Sequence, residues 1–309
     1  MAKLRTQWKG VFPACVTPFD KTGAFDKAAT RAMIDMFIAE GASGLIVAGS
    51  TGEWFSLSNE ERIDLFALTM EHAAKRVPVI GGTSTIATDE AVKLTQAAKK
   101  LGMDGVMVLP PPYALPSRRE VIQHFVEIGR VGIPIMIYNN PPRTSINIDA
   151  ALARELAKVD TIVALKDSTR DLYQMGETIY AVGDELAMFA GLEPYIMANV
   201  HRGAVGTVSM MGNVCMPDMV DYFNLCAAGR WEEAKAAQKV VDRLYHLLAN
   251  LGAPNYVFVK EAMSLLGRPG GGLLRKPYLP LEDATRAKLK AGLDAIPVKR
   301  GTAKRLAAE

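Results

Sequence analysis

The chain has 309 residues, with 36 Lys or Arg against 33 Asp or Glu and a formal net charge of +3. Hydrophobic residues make up 49% and charged residues 22%, the balance of a globular protein with room for one large α/β domain or two smaller ones. A charge this small and this scattered excludes a nucleic-acid binder that works through a basic stripe, and no module of that kind is present. The one basic cluster, "KAGLDAIPVKRGTAKR" at the C-terminal end, reads as a solvated or frayed tail.

Cys15, Cys215 and Cys226 are widely spaced and form no CxxC pair. Neither a disulfide framework nor a zinc site is therefore expected, and each reads as a small buried hydrophobe. The opening "MAKLRTQWKG" has no apolar core of a signal peptide, and no run of about 18 apolar residues occurs. The expectation is a reducing cytoplasm and no membrane.

In chain order, eight short apolar runs stand out: "GVFPACVTPF", "GLIVAGSTGE", "VPVIGGTS", "DGVMVLPPP", "IPIMIYNNPP", "TIVALKDS", "LAMFAGLE" and "GAVGTVSM". Each holds a strand-like stretch rich in Val and Ile and ends in Gly, Pro, Asn or Ser. Between them lie helical patterns. "DKAATRAMIDMFIAEG" sets Met33, Ile34, Phe37 and Ile38 on one face, with Gly41 as the stop. "SNEERIDLFALTMEHAAKR" opens with Ser58 as N-cap and Glu61 three residues on, a capping box. Strands that are apolar throughout and alternate with helices imply a parallel sheet covered on both faces. Eight such units predict a closed (β/α)8 barrel, and the absence of a GxGxxG after the first run argues against a dinucleotide-binding fold.

The strand runs stop after "GNVCMPDMVDYFNLCAAG". From Arg230 the pattern is helical: "RWEEAKAAQKVVDRLYHLLANLG", "NYVFVKEAMSLLG" and "LEDATRAKLKAGLDAI". The chain therefore reads as a catalytic barrel over 1–228 with a helical extension over 229–309. The Gly-rich "GRPGGGLLRKPYLPL" lacks Walker spacing and reads as a connector.

In a barrel of this kind the active site lies at the C-terminal ends of the strands. Ser50 and Thr51 end the second run, Tyr113 follows the fourth, Tyr138 ends the fifth with Arg143 just beyond, and Lys166 ends the sixth. Taken alone, Lys166 is a snorkelling surface lysine, Tyr138 a core tyrosine and Arg143 a helix cap. Together they are a chemical set. Desolvation favours the neutral amine, which attacks a carbonyl to give an imine, and a phenol moves the protons. Arg143 offers a fork for one carboxylate, and the Ser50–Thr51 turn offers hydroxyl and N–H groups for a second. The set predicts imine chemistry on a 2-keto acid. Lys260, in "YVFVKEAM", is a rival amine on a predicted helix and reads as structural. A metal-dependent aldolase would need histidines at strand ends, whereas His72, His124, His201 and His246 all fall in predicted helices.

The order "GSTGEWFSLSNEER", "PPYALPS", "YNNPPRT" and "ALKDST" resembles the dihydrodipicolinate synthase and N-acetylneuraminate lyase family, and the likeness runs from "GVFPACVTPF" to "LRKPYLPL". The resemblance implies a class I lyase or aldolase that needs no cofactor. It implies that Lys166 condenses with pyruvate, that Tyr138 relays protons, and that the Thr51 hydroxyl links Tyr138 to Tyr113 of a neighbouring subunit. It implies further that Gly49, Ser50 and Thr51 hold the pyruvate carboxylate, that Gly191 and Val208 lie beside lysine and substrate, and that the assembly is a homotetramer or homodimer.

Arg143 resembles the arginine with which the synthases hold L-aspartate 4-semialdehyde, which the neuraminate lyases lack. The synthase reaction is thus the leading expectation, with cleavage or dehydration of 2-keto-3-deoxy sugar acids as the alternative. A non-catalytic relative would be expected to have lost Lys166 or Tyr138. Against the synthase pattern, Ser50 replaces a threonine and "GLEPYIM" replaces a more acidic stretch. Trp54, Phe55, Ile86 and Pro112 replace the residues that line the effector site of lysine-regulated synthases, so loss of lysine inhibition is expected.

Overall fold

In the computed structural model, which describes residues 3–299, the eight runs form eight strands. They are β1 Gly10–Pro13, β2 Leu45–Val47, β3 Val79–Gly82, β4 Gly105–Val108, β5 Ile135–Asn139, β6 Ile162–Asp167, β7 Ala187–Ala190 and β8 Gly206–Ser209. Neighbours pair in parallel in the order β1-β8-β7-β6-β5-β4-β3-β2. The ring closes where Ala14 bridges Ile46 and the Cys15 N–H donates to the Ile46 carbonyl at 2.9 Å. Around it lie α1 Lys27–Ala39, α2 Asn59–Ala73, α3 Thr88–Lys100, α4 Arg118–Gly129, α5 Pro141–Thr144, α6 Ala150–Ala157, α7 Leu172–Val182, α8 Ile196–His201 and α9 Gly212–Ala227. This is the (β/α)8 barrel that the alternation predicts.

The alternation of side chains along each strand makes two cores. Phe12, Ile46, Ile80, Met107, Met136, Ala164, Phe189 and Val208 fill the barrel. Val11, Leu45, Val106, Ile135, Ile137 and Leu165 belong to the shell packed with the helices. The Phe12 ring has room because residue 44 is glycine, where a Cβ would stand 2.0 Å from it.

In α1, Met33, Ile34 and Phe37 are buried as expected, but Ile38 is half-buried and Met36 takes its place in the core. The chain then turns at Gly41 with φ +92°. Ser58 caps α2 in a reciprocal box, with Glu61 N to Ser58 Oγ at 3.1 Å and Ser58 N to Glu61 Oε2 at 3.0 Å.

The extension holds α10 Trp231–Leu251, α11 Asn255–Leu265 and α12 Asp283–Ala295. The cysteines are free and buried, and burial pushes the Cys15 thiol up to about 12 and the Cys226 thiol up to about 11. The four histidines lie on α2, α4, α8 and α10. Among the described residues no three His, Cys, Asp or Glu side chains gather into a metal-holding group, and no helix is long and apolar enough to cross a membrane. Of the basic C-terminal cluster, Lys290 pairs with Asp294 and Lys299 with Asp221; the part from 300 onward lies outside the described residues.

Candidate active site

Register puts the two central groups side by side. Tyr138 of β5 pairs with Lys166 of β6, each two residues on from an inward side chain, Met136 and Ala164. Both point into the barrel mouth, and Lys166 Nζ stands 3.9 Å from the centroid of the Tyr138 ring. Lys166 is only 5% exposed, so it is no snorkelling surface lysine. The Tyr138 oxygen accepts from Asn140 Nδ2 at 2.7 Å.

The strand ends are braced behind them. Asn139 donates through Nδ2 to Asp167 Oδ2 at 3.1 Å and accepts from Ile148 N–H at 2.9 Å. Burial raises the Asp167 carboxyl, while bonds from Thr169 and Asn139 pull it back. Across the mouth, Ser50 and Thr51 sit in the turn after β2, beyond the last strand residue, Val47. Thr17 Oγ1 donates to Gly52 O at 2.7 Å, and a Cβ at Gly52 would lie 2.9 Å from the Cys15 carbonyl, so the turn sits tight against the segment that follows β1.

Gly191 follows β7 and donates its N–H to the Asp167 carbonyl at 2.7 Å. A Cβ there would fall 2.1 Å from Ser168 Oγ, which requires glycine. Arg143 lies on α5, whose Pro141 at the first position suits a helix start. Its guanidinium rides 5.3 Å from the Tyr256 ring centroid.

These elements enclose a cavity of about 210 Å³ lined by Ser50, Thr51, Tyr138, Arg143, Lys166, Gly191 and Val208, all expected from sequence. Gly49 stands behind the lining, where a Cβ would meet Met107 Cε at 3.1 Å. Tyr113 lies outside, 88% exposed with φ +68°. The cavity also takes in Asn140, Ser168, Arg170, Tyr245, Asn255 and Tyr256, none of which the sequence reading named. Ser168 and Arg170 follow Lys166 directly, and Asn140 follows the Tyr138 strand, so their positions were available. Tyr245, Asn255 and Tyr256 come from α10 and α11, where the sequence shows only amphipathic helix. Burial pushes the Tyr256 phenol up to about 12, with Arg143 and a hydrogen bond to Ser50 acting the other way.

A wider groove of about 1170 Å³ opens at the other end of the barrel around Trp8 and Asp104. Its lining holds no lysine–tyrosine pair, which leaves the smaller cavity as the candidate site. Lys260, the rival amine, is on α11 and ion-paired with Glu53 at 2.5 Å.

The model of the dihydrodipicolinate synthetase family matches residues 7–296. The chain belongs to that family. It is 49% identical over 290 residues to an uncharacterized DapA-like lyase of Rhizobium meliloti, covering 94% of this chain and 96% of that one. It is 36% identical over 293 residues to a 4-hydroxy-tetrahydrodipicolinate synthase of Acidiphilium cryptum, covering 93% and 98%. Among solved structures it superposes with a TM-score of 0.91 on YagE of E. coli K12, a family member in complex with pyruvate, at 28% identity over 95% of this chain and 100% of that one. Members are class I Schiff-base lyases, and this chain is an enzyme of that class.

Proposed function

We propose that the enzyme joins pyruvate to L-aspartate 4-semialdehyde through an imine on Lys166, the reaction of a 4-hydroxy-tetrahydrodipicolinate synthase. The observation that carries this reading is the Lys166–Tyr138 pair, with Nζ 3.9 Å from the ring centroid, in a cavity that also presents Arg143. The Lys166 amine adds to the keto carbon of pyruvate. The oxygen of the adduct takes one proton from the nitrogen and one from Tyr138 and leaves as water, so that a protonated imine remains and Tyr138 is left as the base for the next step. The protonated imine acidifies the pyruvate methyl group, whose proton passes to the Tyr138 oxygen; the enamine carbon then bonds to the aldehyde carbon, and Tyr138 returns that proton to the aldehyde oxygen. Water then releases the product and restores the amine.

In this reading the Gly49–Ser50–Thr51 turn receives the pyruvate carboxylate, beside Gly191 and Val208. Thr51 passes protons between Tyr138 and Tyr113 of a neighbouring subunit in a homodimer or homotetramer. Arg143 grips the carboxylate of the aldehyde. The free, buried cysteines fit work in the reducing cytoplasm.

The second reading, aldol or dehydration chemistry on 2-keto-3-deoxy sugar acids, draws on the hydroxyl-rich wall of Tyr245 and Tyr256. It uses the same imine. The test is intact-mass analysis after pyruvate and borohydride, with Lys166→Ala alongside. One reduced pyruvyl adduct on the wild type and none on the variant is expected; an unmodified wild type would overturn the reading.

A further inference from the structure

Glu193 is 1% exposed, just past the end of β7. Its Oε1 accepts from Ser209 Oγ and from the Met211 N–H, each at 2.8 Å. Its Oε2 accepts the hydroxyl of Tyr245, which reaches in from α10. The phenol has one proton, and that proton is committed to a carboxylate held in place from β8. What remains on the Tyr245 oxygen is acceptor capacity, strengthened by the charge behind it. Tyr245 lines the cavity with Lys166, Tyr138 and Arg143.

Burial, the Glu193 carboxylate and the nearby Tyr138 push the ionisation of Tyr245 well above its ordinary range, with a backbone hydrogen bond from Glu193 acting the other way. The proton therefore stays on the phenol through neutral pH, which makes Tyr245 a poor acid catalyst and a fixed acceptor.

We propose that the Tyr245–Glu193 pair is a subsite for the second substrate, one that accepts a hydrogen bond and so selects aldehydes bearing a donor. This rests on the pyruvate-imine reading and deepens it. The donor is an ammonium in an amino aldehyde or a hydroxyl in a sugar-derived one, and either satisfies the same lone pair. An aldehyde without a donor leaves the buried oxygen unmatched, which is where selectivity arises.

The test compares kcat/KM for bond formation with pyruvate across two matched pairs. Aspartate 4-semialdehyde is set against succinic semialdehyde, which lacks only the ammonium, and glyceraldehyde against propanal, which lacks the hydroxyls. The wild type is expected to favour the donor-bearing member of one pair by about tenfold or more, and the pair that shows it identifies the donor. Tyr245→Phe is expected to erase most of that preference. Glu193→Gln keeps a carbonyl for Ser209 and Met211 but presents an N–H to Tyr245, turning the phenol proton into the cavity, and is expected to erase it too. Because the readout is a ratio within one protein, a loss of active fraction does not mimic the effect.

No preference in the wild type, or an unchanged preference in either variant, would overturn the subsite while a pyruvate adduct left the imine reading standing. A wild type that forms no adduct would overturn both.

Discussion

The Tyr138 oxygen accepts from Asn140 at 2.7 Å while its ring faces the Lys166 amine at 3.9 Å. With an acceptor site already filled by Asn140, its own proton is left for the reacting oxygen. Tyr138→Phe keeps the ring, and with it the packing, but removes that proton. Imine formation with pyruvate is expected to slow by about a hundredfold to ten-thousandfold, with the melting temperature little changed. Single-turnover imine kinetics beside a thermal melt separate the two effects. Unfolding, or an unchanged rate, would remove Tyr138 from the proton path. At this scale the sequence located most of the expected residues around the cavity, because the strand-end rule converts position along the chain into position in the barrel. It missed Tyr245 and Tyr256 for a physical reason. A tyrosine on an amphipathic helix has the same local signature whether it faces a core or an active site, and only the docking of α10 and α11 over the barrel mouth distinguishes the two.

The short 3-10 turn Trp54–Ser56 bears on regulation. Trp54 covers the guanidinium of the buried Arg62 at 5.5 Å, and Arg62 donates to the carbonyls of Gly82 and Ser84. Phe55 packs against Tyr256 at 5.8 Å and Tyr278 at 5.9 Å. Both rings are engaged in packing, and neither they nor the exposed Ile86 and half-buried Pro112 offer the small and polar surface that a lysine effector requires. Free lysine is therefore expected to leave turnover unchanged, and a lysine titration of initial rates checks this. Saturable inhibition at sub-millimolar lysine would show that a pocket survives the substitutions. The elements themselves were legible wherever the pattern had one interpretation. The eight apolar runs, the Ser58 capping box and the three helices of the extension all stand where the residues put them. The second strand is shorter than its apolar run, ending at Val47, because Ala48 takes φ +51° and starts the turn that presents Ser50 and Thr51. Periodicity cannot register a single left-handed residue.

Over the whole molecule, the extension is fastened to the barrel by ion pairs that cross long stretches of chain. Arg268 grips Glu40 at 2.5 and 3.1 Å, and Arg275 grips Glu61 at 2.6 and 2.7 Å. Lys260 meets Glu53 at 2.5 Å with both side chains almost wholly buried, and also donates to the Leu273 carbonyl at 2.9 Å. Glu53 follows the Ser50–Thr51 turn, and α11 also carries Tyr256, so this pair fixes the extension where it meets the candidate site. Desolvation pushes the Lys260 ammonium down to about 8, Glu53 pulling against it and Arg275 adding to the fall. Between about pH 8 and the ordinary lysine value of 10.5, the unfolded chain holds this proton and the folded chain has released it. Unfolding then takes up a proton, so this group makes stability rise with pH across that window and leaves it flat below. Lys260→Met strands the Glu53 carboxylate and is expected to cost about 3–5 kcal/mol. It is also expected to abolish the lysine's share of the pH rise, and adding Glu53→Gln is expected to recover most of the lost stability without restoring that share. Denaturant unfolding of wild type, single and double variants at about pH 7.5 and 9.5 reads both quantities. An undiminished rise in the double variant would assign it to other groups, and a harmless Lys260→Met would mean that the pair does not hold the extension in place.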